Sequence, residues 1–270
     1  MNRETQSIER KRHIPLWNSK KVVKKDILLI PAYIFFQSII PIIVVFGTLG
    51  ITAMITQHAP PDWFYNLSLS ISFVLAQGLV LMLFFALHKF YIASVARRQF
   101  KNAKKYVRQI LIVVIITFVL MLLIEWLVQW LPASLRFGVT QYERRVEGLF
   151  LHPIALCFTF ISMVILRPMI EQLIYRHIII HELGKKWNKK IMIVISIVIE
   201  SIVHTYDMAS IFEIIPYLLI ASGATYLYIR TGQNLAVAYL YQVGVQCFIF
   251  LEILSKVYIC LLYTSPSPRD

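Results

Sequence analysis

The sequence predicts an all-α protein, a polytopic transmembrane helical bundle of about seven helices, and three observations carry that prediction. Only 15% of the 270 residues are charged and 58% are hydrophobic, whereas a soluble globule carries nearer a quarter charged residues. Apolar runs recur at the length of about 20 residues that crosses a bilayer. The basic residues alternate along the chain: eight Lys/Arg in residues 1–26, none in Gln57–Trp63, seven between His88 and Gln109. That is the positive-inside pattern, and it sets the N-terminus on the cytoplasmic side of a multi-pass plasma-membrane protein. It also accounts for the net charge of +13, so no nucleic-acid partner is needed; membrane lipids are the expected surroundings. A barrel would alternate in short segments instead.

The elements follow in order. Residues 1–26 form a basic cytoplasmic segment, with no cleavable leader because the first apolar run is too long and starts too late. Residues 27–148 hold three spans, Ile27–Ile55, Phe64–Leu87 and Ile110–Leu131, the last with only Glu125, a packing or snorkelling carboxylate. Residues 149–257 hold four more, Leu149–Leu166, Ile191–Tyr206, Ile211–Ile229 and Asn234–Leu251. Trp63, Trp126, Trp130 and Trp187 fall at span ends as an aromatic belt. Cys157, Cys247 and Cys260 have no paired spacing and read as buried small hydrophobes. Residues 258–270 change character abruptly and read as a tail of doubtful origin, with the natural C-terminus missing.

Ionisable groups inside the apolar segments point to a site, because each costs at least about 2.5–3.5 kcal/mol to place in hydrocarbon. Glu171, Gln172 and Arg176 lie in one such stretch, and Glu200 and His204 in another. The basic loop Lys185–Lys190 makes a hairpin of the two. Glu171 precedes Lys185 by 14 residues and His204 follows Lys190 by 14. At a rise of about 1.5 Å per residue both sit roughly 21 Å from the loop, at equal depth on antiparallel neighbours. Gln242, 12 residues past Arg230, comes to about 18 Å on the last helix. Spacings of i,i+4 let Gln172 bond Arg176, and Glu200 bond His204, along their own helices; Gln242 and Gln246 repeat that spacing. Two other roles stay open for Glu200: pairing with Arg176 in the interior, or standing in electrostatically for a second glutamate beside Glu171. His177 and His181 share it too, but lie toward Lys185 and read as interfacial histidines. No metal and no cofactor is expected.

These residues resemble the motifs of the CPBP family, the CAAX-prenyl-protease and bacteriocin-processing (Abi) intramembrane peptidases. Glu171-Gln172-Leu-Ile-Tyr-Arg176, after Arg167-Pro168, is similar to the family's Glu-Glu-x-x-x-Arg. Glu200-Ser-Ile-Val-His204 occupies its Phe-x-x-x-His, and Gln242-Val-Gly-Val-Gln246 its His-x-x-x-Asn. Gln172, Glu200, Gln242 and Gln246 each depart from the family residue. The resemblance implies a glutamate-dependent endopeptidase in which Glu171 and His204 activate water. Gln242, Gln246, Arg176, Gln172 and Glu200 would then hold the oxyanion or support the site. The substrate would be a peptide or membrane-associated protein, such as a bacteriocin precursor, in a bacterial plasma membrane. The alternative is a non-catalytic relative that binds a peptide or membrane partner, as in bacteriocin self-immunity. A small transporter is a third class, opposed by the lack of an inverted repeat.

Overall fold

A computed structural model describes residues 22–88, 91–132, 135–137, 147–205 and 210–264, and among these no strand occurs. Among the described residues, six helices are long and apolar enough to cross a membrane. A 3-10 turn, Lys24–Leu28, leads into α1 (Leu29–Thr56). Gln57 closes α1 in the left-handed region, φ 58°. Helix α2 (Asp62–His88) returns with an acidic residue in its first turn, where the helix dipole favours one. The two pack together along their length. The outer face of α1, with Phe46, Met54 and Ile55, is exposed and apolar, as a lipid-facing surface should be.

The basic segment after His88 is not the loop the sequence suggested. It forms α3 (Tyr91–Ala103), which buries Ile92, Val95 and Ala103 while Arg97, Arg98 and Lys101 stay exposed. An apolar stripe opposite a basic face is the pattern of a helix lying in the membrane interface. Helix α4 (Val107–Val128) follows. Trp63, Trp126, Trp130 and Trp187 are all exposed near helix ends, as an aromatic belt requires.

The fourth expected span and the first motif are one continuous helix, α5, Pro153–Lys185. It starts at Pro153 and not at Leu149, because proline is suited to a helix's first turn; Leu149 and Phe150 are buried ahead of it. Its middle is π-helical over Ile161–Leu166 and again over Gln172–Glu182, with the α-helical turn Arg167–Glu171 between. Asn188 caps α6 (Lys189–His204) through its side chain. At 16 residues α6 is about 24 Å long, short of the roughly 30 Å hydrocarbon core, and it is not one of the six. Helix α7 (Ile214–Arg230) is entered through a Ser210/Glu213 capping box. Helix α8 (Leu235–Thr264) continues past the boundary expected at 258.

Helix α8 is the hub, packing against α3, α4, α5 and α7, while α6 lies between α5 and α7. Ser196 on α6 donates to the Tyr175 carbonyl of α5 at 2.9 Å, an interhelical bond of the kind that orders helices in lipid. Where α7 meets α8, a Cβ on Gly223 would lie 2.3 Å from the Tyr241 hydroxyl oxygen. That hydroxyl is 2.8 Å from Thr117 Oγ1 of α4, so three helices are gauged at one point. Cys157 is exposed on α5, contrary to the burial expected from its apolar neighbours: the residues flanking it include lipid-facing positions. Cys260 lies outside the residues whose burial is described.

Candidate active site

The turn Arg167–Glu171 sets two opposite charges four residues apart, and they meet. Arg167 Nε donates to Glu171 Oε1 at 2.8 Å. His204, the last residue of α6, brings Nε2 to 3.2 Å from the same oxygen. The hairpin offset of equal length on α5 and α6 therefore does bring Glu171 and His204 together. Glu171 Oε2 accepts from the Gln242 amide of α8, and Gln242 Oε1 accepts from Gln172. Three groups from three helices thus close around one carboxylate that is only 3% exposed, and Gln172 holds the third of them from behind.

The partners fix the imidazole tautomer. Arg167 Nη2 lies 2.7 Å from His204 Nδ1. A guanidinium can only donate, so Nδ1 accepts and the ring proton sits on Nε2, aimed at Glu171. Tyr217 of α7 lies flat against this ring, with centroids 5.2 Å apart and planes 5° from parallel. Glu171 is sealed, whereas the side chains of Arg167 and His204 are 25% and 10% exposed. The carboxylate is thus reached from one edge of the cluster.

Arg176 and Glu200 form a separate pair beside it. Arg176 is fully buried; its Nη1 is 2.5 Å from Glu200 Oε2 and its Nη2 donates to the Ala221 carbonyl at 2.9 Å. The i,i+4 bonds expected along each helix, Gln172 with Arg176 and Glu200 with His204, do not form. Each of those residues bonds across to a neighbouring helix instead, because α5, α6 and α7 converge here and offer it a fixed, oppositely charged or amide partner. Gln246 does not reach the cluster: it is half-buried one turn further along α8 and makes no hydrogen bond among the described residues. Arg167 and Tyr217 belong to the site although neither was among the residues expected there. The i,i+4 relation of Arg167 to Glu171 was a usable signal for the first; nothing in the sequence pointed to the second.

His177 is packed inside the protein. It is 1% exposed, and its Nε2 lies 2.8 Å from Asp26 Oδ2. His88 Nε2 is 3.0 Å from the other oxygen of Asp26, and His88 Nδ1 donates to the Phe84 carbonyl at 3.0 Å. No local pattern announces this group, which is assembled from the 24–28 turn, the end of α2 and the second half of α5.

Fold and site together define a polytopic helical membrane protein that holds a carboxylate, an imidazole and a guanidinium in contact inside its bundle. Residues 153–248 match the family described as type II CAAX prenyl endopeptidase Rce1-like. That description matches the CPBP/CAAX protease family, the one the motifs resemble. The matched segment spans every residue of the Glu171 cluster and the Arg176–Glu200 pair. No curated protein and no solved structure matches the chain.

Proposed function

We propose that this protein is an intramembrane endopeptidase of the CPBP type, acting on peptides or membrane-associated proteins. The observation that carries the reading is the contact of buried Glu171 with His204 Nε2 from the facing helix, within the matched segment. In this reaction a water beside the pair gives a proton to Glu171 as its oxygen bonds to the peptide carbonyl carbon. The C–N bond then breaks, and the proton passes to the leaving amine. His204, through Nε2–H, orients the Glu171 carboxylate that takes the proton. The oxyanion needs donors aimed at it. Gln242 keeps a second amide N–H beyond the one given to Glu171, and Arg167 has guanidinium N–H groups besides those on Glu171 and His204. Arg176 and Glu200 hold α5, α6 and α7 in register around this chemistry, and Gln172 fixes the Gln242 amide.

One observation favours a second reading. Gln242 is engaged at both ends, donating to Glu171 and accepting from Gln172, which closes the cluster on itself. A non-catalytic relative that binds a peptide or membrane partner, as in bacteriocin self-immunity, would keep such a closed network for packing. Full-length protein in detergent, incubated with prenylated and leader-type peptides and read by mass spectrometry, separates the two. Cleavage abolished by Glu171→Gln and by His204→Ala supports the peptidase. Biological function that survives both substitutions rules it out.

A further inference from the structure

A second cluster of ligating groups sits at the Lys185 end of α5, away from Glu171. His177, His181 and Glu182 each turn one possible ligand atom into a space where those atoms lie within 4.8 Å of one another. The His177 and His181 rings are stacked, with centroids 5.7 Å apart. His177 and Glu182 are buried, and the His181 side chain is 12% exposed. We propose that His177, His181 and Glu182 form a binding site for a divalent transition-metal ion of the zinc type.

Three features give the cluster the character of a built site. The donor set, two imidazoles and one carboxylate, is a set zinc accepts with water as fourth ligand. The separation is close to what coordination needs: bonds near 2.1 Å in a tetrahedron put ligand atoms about 3.4 Å apart. Side-chain rotation of a little over 1 Å closes that gap. The third feature is the carboxylate behind the histidine. With His177 Nε2–H directed at Asp26, the lone pair is on Nδ1. A carboxylate that takes the far N–H of a ligating imidazole fixes its tautomer and raises its basicity. Asp26 is itself held by His88, so this support is buried and in place before an ion arrives.

The cluster carries stand-ins for positive charge. Glu182 Oε1 is 2.5 Å from Lys185 Nζ and 2.9 Å from His181 Nδ1, and its Oε2 accepts from the Val23 backbone N–H at 2.8 Å. A metal ion replaces the Lys185 ammonium on Oε1. His181 moves its proton from Nδ1 to Nε2 by exchange with water, and Nδ1 ligates. Lys185 lies by the α5–α6 turn and its side chain is 13% exposed, so it can swing out, and the ion enters by that route. Val23 and Asp26 touch two of the ligands, so an ion here ties the segment before α1 to the helix that carries Glu171.

The test uses untagged, full-length protein in detergent, stripped with a chelator and titrated with Zn²⁺ by equilibrium dialysis. Co²⁺ serves as the spectroscopic probe. The expected result is one saturable Zn²⁺ per chain and the intense visible absorption of tetrahedral Co²⁺. His181→Ala and Glu182→Gln should each abolish both signals, and Asp26→Asn should weaken Zn²⁺ binding about 10–100-fold while leaving one site. Glu171→Gln and His204→Ala should not change it. No saturable Zn²⁺ in the wild-type protein overturns the proposal. So does binding that persists in His181→Ala, which is partly exposed and serves as the arm least exposed to misfolding. Loss of Zn²⁺ in Glu171→Gln overturns it too, because the ion would then sit in the peptidase cluster, and that outcome leaves the peptidase reading standing.

Discussion

Two buried carboxylate–histidine clusters lie along the same helix, one around Glu171 and the other around Asp26 and Glu182, and they are built differently. Glu171 is offset by a guanidinium, which keeps its proton under all ordinary conditions. Asp26 is surrounded by imidazoles, and Glu182 by an imidazole, an ammonium and a backbone N–H. The first arrangement is a fixed electrostatic frame in which only Glu171 and His204 have protons to exchange. The second is made of groups that can trade a proton for a metal ion. A buried acid beside a histidine therefore has no single meaning; the third partner decides what the pair can do.

The comparison breaks most visibly at the pair that belongs to neither cluster. Arg176→Leu should lower stability by about 3–5 kcal/mol, since removing one partner strands a buried charge on Glu200. Thermal unfolding in detergent and membrane abundance measure this, and adding Glu200→Leu should restore much of the loss. Next, Glu171→Gln should reduce peptide cleavage by about 10²–10⁴-fold, the usual worth of a positioned acid–base group. Melting temperature measured alongside tells lost chemistry from lost fold.

Restoring the family residue Gln242→His should raise the cleavage rate by up to about 10²-fold if an oxyanion donor is what the chain lacks. Gln246→Asn should add little, because Gln246 stands apart from the cluster; equal gains from both would mean that the last helix moves in the working state. The smallest effect is expected from Tyr217→Leu. The stack on His204 is worth about 0.5–1.5 kcal/mol, so its loss should slow cleavage several-fold, read as kcat at saturating peptide.

Much of the architecture was legible because a bilayer makes sequence blunt: an uncharged run such as Phe64–Leu87 has few alternatives to a span. The hairpin was legible as well, since equal offsets of Glu171 and His204 from one basic loop translate directly into equal depth. Helix α3 was missed although Ile92, Val95 and Ala103 follow a helical period, because its seven basic neighbours were read for topology and not for a face. The fusion of Leu149–Leu166 with the motif helix was hidden by Arg167, whose charge interrupts the run but is absorbed by Glu171 one turn on. The choice of partners was legible only in part. Arg176 was one of the two partners open to Glu200, whereas Gln172 had a good candidate on its own helix and interhelical geometry overrode it. His177 with Asp26 is the extreme case, joined across 151 positions of sequence by packing that no local pattern encodes.

Gly223 has a reach well beyond its size. Tyr241, whose hydroxyl occupies the room a methyl group would need there, is the residue next to Gln242. The missing side chain on α7 thus sets how near α8 can come, and with it whether the Gln242 amide touches Glu171. A single hydrogen atom in place of a methyl acts as the shim of the cluster. Thickening it with Gly223→Ala would displace the tyrosine, back the last helix away and open the carboxylate to water without altering any group that bonds it.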